Sequence, residues 1–201
     1  MQFSSFFATA LTVGSAFAAP AVHNARGIQV LSTALSAVSD VKSTVTTELA
    51  TITSLVEGTV DDEVAPALEK TLGSVGKEVS SLLSVVLPLV SDVALPLVES
   101  ELSNVPTLLE DVLDIVKDVE GAASKIVDGV ASDVLSTVKD ELSFVLSTLK
   151  PVLKPVLSFA TTAVGSTVGD VADEVTSLVG EVEDVASGVL DPLLKTVSSL
   201  L

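Results

Sequence analysis

Residues 31–56 read LSTALSAVSDVKSTVTTELATITSLV. Their apolar positions recur at steps of three and four: Leu31, Ala34, Leu35, Val38, Val41, Val45, Leu49, Ile52, Leu55 and Val56. In an α-helix, residues at this spacing share one face, and the intervening Ser, Thr and charged residues occupy the opposite face. The stretch therefore predicts one long amphipathic helix.

The same spacing returns along the rest of the chain, in residues 64–86, 108–130, 134–149 and 168–189. Few runs alternate with the period of two that a half-buried strand requires, which disfavours a β protein rich in Val, Thr and Ser. Val and Thr are mediocre helix formers, so packing must stabilise these helices. We predict an all-α protein, a bundle of several amphipathic helices.

Helix breakers divide the chain, and we expect a bend at Gly165 and Gly169. We expect an interruption at each of Gly58, Pro88, Pro96, Pro106, Pro151, Pro155, Gly188 and Pro192. Segment 39–49 also matches segment 132–142 at eight of eleven positions. Duplication of a helical unit explains this match, and so does convergence within a chain that repeats Ser-Asp-Val. We predict two halves, which could be related, at residues 28–105 and 106–201.

The beginning of the chain has the pattern of a secretory signal peptide. An apolar stretch leads to Ala16-Phe17-Ala18, a small-x-small cleavage site, so residues 1–18 are predicted to be removed and residues 19–27 to form a flexible segment. The remaining chain contains no Cys, Trp or Tyr, and its only aromatic residues are Phe144 and Phe159. We expect a secreted protein, extracellular or associated with the cell wall, whose fold depends on aliphatic burial without disulfides.

Charge and hydropathy are both high. The chain has 27 acidic and 10 basic residues, a net charge of −17, together with 48% hydrophobic residues and a mean hydropathy of +0.66. Such a chain is repelled by phosphate backbones, so we expect no nucleic-acid partner. Disordered acidic chains normally have low hydrophobicity, and the combination found here is typical of amphipathic helices.

The residue inventory argues against catalysis. The single histidine, His23, follows the predicted cleavage site, where it is poorly placed to serve a hydrolase triad. Without Cys the chain offers no zinc site, and without Trp or Tyr it lacks the usual platforms for sugars. The acidic cluster 61–63 is more typical of a helix N-terminus than of a cation site. We predict no enzyme, no metal and no cofactor.

Two segments, 82–98 and 149–159, are unusually apolar. Asp92 and two prolines make the first a poor membrane span, so we predict a buried hairpin and no transmembrane segment. Both segments could be bundle core or walls of an apolar contact region. The candidate contact residues for lipid or an apolar surface are Leu82, Leu83, Val86, Leu87, Leu89, Val90, Leu95, Leu97, Leu149, Val152, Leu153, Val156 and Phe159.

Three sequence features resemble the fungal hydrophobic surface-binding protein family, which includes the cell-wall galactomannoproteins. These are residues 1–7 (MQFSSFF), residues 16–20 (AFAAP), and a Cys-free helical body with stretches such as 30–38 (VLSTALSAV). The resemblance implies a helical, secreted or wall-associated protein that adheres to hydrophobic surfaces and binds lipids. It implies no catalytic residues.

Two functions follow as hypotheses. The first is non-catalytic binding of hydrophobic surfaces or fatty acyl lipids through the aliphatic faces of the helices. The alternative is a self-assembling structural component of the cell wall or extracellular matrix, in which the apolar stripes of different chains pair with one another. Self-association is therefore left open at this point.

Overall fold

The computed structural model describes residues 19–58, 64–93, 95, 97–165 and 169–199. Its elements are α1 (Ala19–Glu57), α2 (Val64–Ser91), α3 (Glu99–Leu102), α4 (Asn104–Gly129), α5 (Ser132–Val164), α6 (Asp170–Val185), a π-helical turn (Ala186–Leu190) and α7 (Asp191–Ser199). No strand occurs within these described ranges, and the predicted all-α bundle is confirmed. The predicted signal peptide, residues 1–18, and the acidic cluster 61–63 lie outside the described residues.

Four helices form the body of the bundle. α1 packs against α2 and α4, and α5 packs against the same two helices, so that α1 and α5 occupy opposite corners of a square. α6, the π-helical turn and α7 follow one another along the outside of α4 and α5. Each of the four body helices thus has two neighbours in the square and at least one side free to face outward or to receive α6 and α7.

The directions of the helices follow from their contacts and connections. Lys42 of α1 pairs with Asp111 of α4, and Glu57, near the end of α1, pairs with Lys125, near the end of α4. These two helices are therefore parallel. The connections from α1 to α2 and from α4 to α5 are short, which makes each pair an antiparallel hairpin. It follows that α2 and α5 are parallel to each other. Residues 92–103, which we call the diagonal connection, join α2 to α4, two helices at opposite corners of the square.

Several of the predicted interruptions are wrong. α2 continues through Pro88 to Ser91, and α5 continues through Pro151 and Pro155 to Val164. An internal proline removes one helix hydrogen bond and costs about 3 kcal/mol. The flanking residues of these prolines include buried aliphatic side chains on both helices, and their packing in the core offsets that cost. Pro106 is also helical, because it lies in the first turn of α4, where proline is tolerated.

Other breakers act as expected or nearly so. α1 ends beside Gly58, and α5 ends beside Gly165. Gly169 precedes α6 with a φ of 133°, a conformation that favours glycine. Gly188 does not end the last helix, because the helical path passes through it as a π-helical turn and continues into α7. Residues 19–27, predicted to be flexible, are continuous with α1, and Pro20 lies in its first turn.

One aliphatic core joins all the long helices. Residues on both sides of the predicted division between residues 105 and 106 contribute to this core. The division itself falls two residues inside α4. The matching segments 39–49 and 132–142 lie on α1 and at the start of α5. α1 is the first helix of its hairpin and α5 the second helix of the other, so the match does not superpose the hairpins in chain order. The division into two halves stays a prediction.

Candidate contact surface

The candidate contact residues separate into two groups. Nine are buried in the core: Leu82, Val86, Leu89, Leu97, Leu149, Val152, Leu153, Val156 and Phe159. Leu83 is half-buried, whereas Leu87, Val90 and Leu95 are 52%, 55% and 38% exposed. The segment 149–159 is thus mainly core in this structure, and only the segment 82–98 presents several of its candidate side chains to solvent.

The exposure of Leu87 and Val90 follows from their positions on α2. Residues 82–90 are apolar on nearly every side, yet the helix contacts only α1 and α5 extensively. One stripe of this segment packs inward, and a second stripe, Leu83, Leu87 and Val90, has the i, i+4, i+7 spacing of a neighbouring face. A helix that is apolar all round but has only two neighbours must leave one apolar face uncovered.

Sequence reasoning missed two exposed apolar residues. Val98, in the diagonal connection, is 45% exposed, and Phe144 of α5 is 46% exposed. The Phe144 ring lies over Gly76 of α2, where an added Cβ atom would be 2.6 Å from ring atom Cδ1. The signal for Phe144 was its position between the core residues Leu142 and Val145, which places it off the buried stripe.

The seam between α1 and α4 is polar, in contrast to the exposed apolar face of α2. Lys42 Nζ lies 2.8 Å from Asp111 Oδ1 and 2.6 Å from Asp114 Oδ2. The hydrogen bond to Asp111, followed by the one to Asp114, raises the pKa of Lys42 well above its ordinary value of 10.5. Lys42 therefore remains charged across the physiological range and joins the two helices.

Further polar contacts continue along the same seam. Thr46 Oγ1 donates a hydrogen bond to Asp118 Oδ2 at 2.9 Å. Lys125 Nζ donates to Thr53 Oγ1 at 3.4 Å and lies 3.6 Å from Glu57 Oε1. We call the contacts made by Lys42, Thr46 and Lys125 the polar ladder. It fixes the register of α1 on α4 over about four helical turns.

A groove of about 310 Å³ lies between α1 and α4. Leu49 and Ala122 are buried among its lining residues, and Thr46, Lys117 and Lys125 also contribute to its walls. Two contacts of the polar ladder, those made by Thr46 and by Lys125, lie along this groove. The groove thus belongs to a seam whose polar groups already contact one another.

Charge is unevenly distributed among the helices. α2 carries Glu69 and Glu78 balanced by Lys70 and Lys77, and α5 carries three acidic residues balanced by three lysines. α4 carries six acidic residues and two lysines, and α6 carries six acidic residues and no basic one. The acidic charge of the bundle is therefore concentrated on α4 and α6, whereas α2 and α5, which pack against each other, each carry no net charge.

Within the described residues, no group of three or more His, Cys, Asp or Glu side chains is arranged to hold a metal ion. No protein-family model, curated protein or solved structure matches this chain. The resemblance to the fungal hydrophobic surface-binding family therefore stays a prediction.

Two of the described helices, α2 and α5, are long and apolar enough to cross a membrane by length and composition alone. Of the most apolar 18-residue window in each, 33% is buried in α2 and 50% in α5. Core helices of bundles meet the same criterion, so the predicted absence of a transmembrane segment stays a prediction. The two helices nevertheless share one property: each carries no net charge, whereas α4 and α6 are acidic.

Proposed function

We propose that this chain is a secreted, non-catalytic protein that binds hydrophobic surfaces or acyl lipids through the aliphatic faces of its helices. The observation that carries the proposal is the composition of the core. Among the described residues, the only buried polar or charged side chains are Thr71 and Glu101. All other buried side chains are aliphatic except for Phe159, two prolines and a glycine.

Neither buried polar side chain joins two long helices. Thr71 Oγ1 donates to the carbonyl of Ala67 within α2, and Glu101 accepts a hydrogen bond from Val98 N–H in the diagonal connection. The helices are therefore held together inside the bundle by non-directional burial. Separating the hairpins breaks the polar ladder between α1 and α4, whose groups then turn to water, but it breaks no polar pair between long helices inside the aliphatic core. The core faces therefore reach an external apolar surface without leaving a buried polar group unpaired.

The topology supports a definite opening movement. The α1–α2 hairpin and the α4–α5 hairpin are covalently joined only through the diagonal connection 92–103, which lies at one end of the bundle. At the opposite end, Val56 of α1 lies against Gly129 of α4. If the hairpins separate about this connection, their aliphatic faces become exposed. Adsorption to an apolar surface then covers these faces and stabilises the bound state by about 25 cal/mol for each Å² removed from water.

A disulfide at that opposite end tests the proposal. An added Cβ atom at Gly129 would lie 2.6 Å from Val56 Cγ1, so the pair Val56→Cys and Gly129→Cys has the proximity that a disulfide needs. The natural chain contains no cysteine, so the two introduced cysteines have no other partner within the chain. The measurements are depletion of the protein from solution by polystyrene beads and by neutral lipid emulsion, with the reduced form of the same variant as the control.

We expect the wild-type protein and the reduced variant to adsorb with retained helicity, and the oxidised variant to reach at most about one fifth of their surface density. Equal adsorption of the oxidised and reduced forms would show that the closed bundle binds the surface, and it would rule out opening of the hairpins as a step in binding. A wild-type protein that is not depleted by either surface would end the proposal as a whole.

Self-assembly is a second candidate, because Leu87 and Val90 offer an uncovered apolar stripe that another copy of the chain could cover. Sedimentation of the processed protein over a hundredfold concentration range separates the two. Reversible growth of oligomers without adsorption would favour assembly. A monomer that adsorbs favours surface binding.

A further inference from the structure

The large apolar side chains that the described structure leaves exposed are all on one part of the bundle. Leu87 and Val90 lie on α2, Leu95 and Val98 on the diagonal connection, and Phe144 on α5. The described parts of α1, α4, α6 and α7 contribute none. Scattered exposed apolar residues are normal on a protein surface, but a set confined to the neighbouring helices α2 and α5 and the connection that follows α2 marks a candidate interaction surface.

Acidic residues are absent from the α2 and α5 parts of this region, whereas the diagonal connection carries Asp92, Glu99 and Glu101. α2 has no charged residue from 79 to 91, and α5 has no acidic residue from 142 to 164, where its only charges are Lys150 and Lys154. Lys150 is paired with Asp191 of α7. In a chain of net charge −17, these are long stretches without a carboxylate.

The packing places the two acid-free stretches side by side. α2 and α5 contact each other more extensively than any other pair of helices, and they run in the same direction. The contact between Gly76 and Phe144 sets their register. Seven residues further along each helix, Leu83 on α2 is therefore level with Pro151 on α5. From there both acid-free stretches continue toward the end of the bundle where the diagonal connection lies.

Each helix presents an apolar stripe on this side. On α2 the stripe is Leu83, Leu87 and Val90, and on α5 it includes Phe144 and, seven residues later, the exposed Pro151. We call these five residues the α2/α5 face. The polar ladder lies on the other pair of helices, and the excess of carboxylates lies on α4 and α6, so the bundle has one apolar, neutral side and one acidic side.

We propose that the closed bundle first contacts an uncharged apolar phase, such as hydrocarbon or neutral lipid, through the α2/α5 face. The proposal rests on the proposed function and adds the orientation and the class of surface. The charges favour an uncharged phase over an anionic membrane as the binding partner. The net charge of −17 repels anionic headgroups, and Lys150 and Lys154 are too few to reverse that repulsion. A face without carboxylates also reaches an apolar phase without the cost of desolvating them.

The test compares two pairs of charge additions. Leu87→Glu with Val90→Glu places two carboxylates on the α2/α5 face, at positions exposed enough for the bundle to remain folded. Ser43→Glu with Thr47→Glu places the same two charges at exposed positions of α1, one turn apart. Both variants and the wild type are titrated at pH 7 onto polystyrene beads and triolein emulsion, after circular dichroism has shown equal helicity and similar melting temperatures.

We expect the α2 variant to need at least tenfold more protein for half-maximal coverage, and the α1 variant less than twofold more. Equal weakening in both variants would assign the effect to net charge and overturn the proposal. If the wild type adsorbs and the α2 variant adsorbs equally well, the face is wrong while the proposed function stands. If the wild type itself does not adsorb, the proposed function has failed.

A second copy of the chain is the remaining alternative occupant, and sedimentation distinguishes it. A wild-type dimer that Leu87→Glu with Val90→Glu dissociates, without a change in adsorption, would assign the face to self-association and overturn the proposal. A wild type that remains monomeric while the α2 variant loses adsorption supports it. The uncharged pair Leu87→Ser with Val90→Ser should fall between the wild type and the Glu pair, at roughly threefold weaker adsorption.

Discussion

The ring of Phe144 on α5 lies against the backbone of Gly76 on α2, and a Cβ atom at position 76 would come within 2.6 Å of ring atom Cδ1 and 2.7 Å of Cε1. Gly76 is therefore required by a close approach between two helices. It is buried although its helix position has no side chain, because the aromatic ring covers it. The contact also locks the register in which α2 and α5 run side by side.

Gly73, one turn earlier on α2, provides a matched control for this contact, because a Cβ atom there would meet nothing within 4 Å. Gly73→Ala should raise the free energy of unfolding by up to about 1 kcal/mol through helix propensity. Gly76→Ala gains the same propensity but must displace the Phe144 ring, so we expect a smaller gain or a loss. Urea denaturation measures both. In a Phe144→Ala background the two substitutions should become equal; a difference that persists there would contradict the contact.

The triad of Lys42, Asp111 and Asp114 gives a prediction for high pH. Lys42→Met removes the charge between two carboxylates and should lower the free energy of unfolding by about 1 kcal/mol at pH 7. The pKa of Lys42 is raised in the folded state, so its contribution is fully present below the ordinary lysine value of 10.5 and is lost as the pH rises toward the raised value. The difference between wild type and variant should be constant from pH 7 to pH 10 and shrink at pH 11.

The matched variant for this titration is Lys70→Met, which removes an exposed lysine from α2. The difference in free energy of unfolding between Lys70→Met and the wild type should stay small from pH 7 to pH 11. A Lys42→Met difference that widens between pH 10 and pH 11, or one no larger than that of Lys70→Met at pH 7, would show that the triad does not stabilise the bundle.

The diagonal connection depends on Glu101. Its side chain is 8% exposed, and Oε2 accepts a hydrogen bond of 3.1 Å from Val98 N–H at the start of α3. Glu101→Ala should lower the free energy of unfolding by about 1 to 2 kcal/mol, because the Val98 N–H loses its partner beside the core. Glu99→Ala removes an exposed carboxylate from the same short helix and should change it by less than about 0.5 kcal/mol. Equal effects in thermal denaturation would contradict a specific role for Glu101.

The periodicity of residues 31–56 was sufficient to predict that part of α1, because a three-four spacing over many turns favours a helix over the strand alternative. It did not predict the start of α1 at Ala19, in residues expected to be flexible. The breaks at Gly58 and Gly165 could also be read locally. Whether the helices continue through Pro88, Pro151 and Pro155 could not be read locally. The free-energy cost of a proline inside a helix is opposed by the burial of neighbours such as Val86 and Val152. That burial depends on which helices pack together, and one sequence does not encode the pairing in any single segment.

The contact surface was predictable only in part for a related reason. Residues 82–90 are apolar on nearly every side, so their composition indicated that most of the segment is covered, but not which side α1 and α5 would leave open. The buried state of Leu149 and Val156 follows from the position of α5 between α2 and α4. Phe144 was passed over because it lies outside the densest apolar segments, although its position off the buried stripe of Leu142 and Val145 indicated that it is exposed. Its contact with Gly76 of α2 could not be read from one segment, because it depends on which helices pack together.

Pro151 links the stability of the closed bundle to its opening. It is exposed within α5, whereas Pro155, four residues later, is buried. Pro151→Ala restores a backbone N–H that can bond to the Ser147 carbonyl and loses little packing, so the melting temperature should rise by several degrees, corresponding to about 1 to 3 kcal/mol. Pro155→Ala gains the same donor but leaves a small cavity, and its gain should be smaller. Because a more stable closed state opens less often, Pro151→Ala should also adsorb more slowly to polystyrene, measured by stopped-flow light scattering. Pro151 belongs to the α2/α5 face, so Gly73→Ala, which stabilises α2 outside that face, is the control and should also adsorb more slowly. If the stabilised Gly73→Ala variant adsorbs at the wild-type rate, adsorption does not depend on opening.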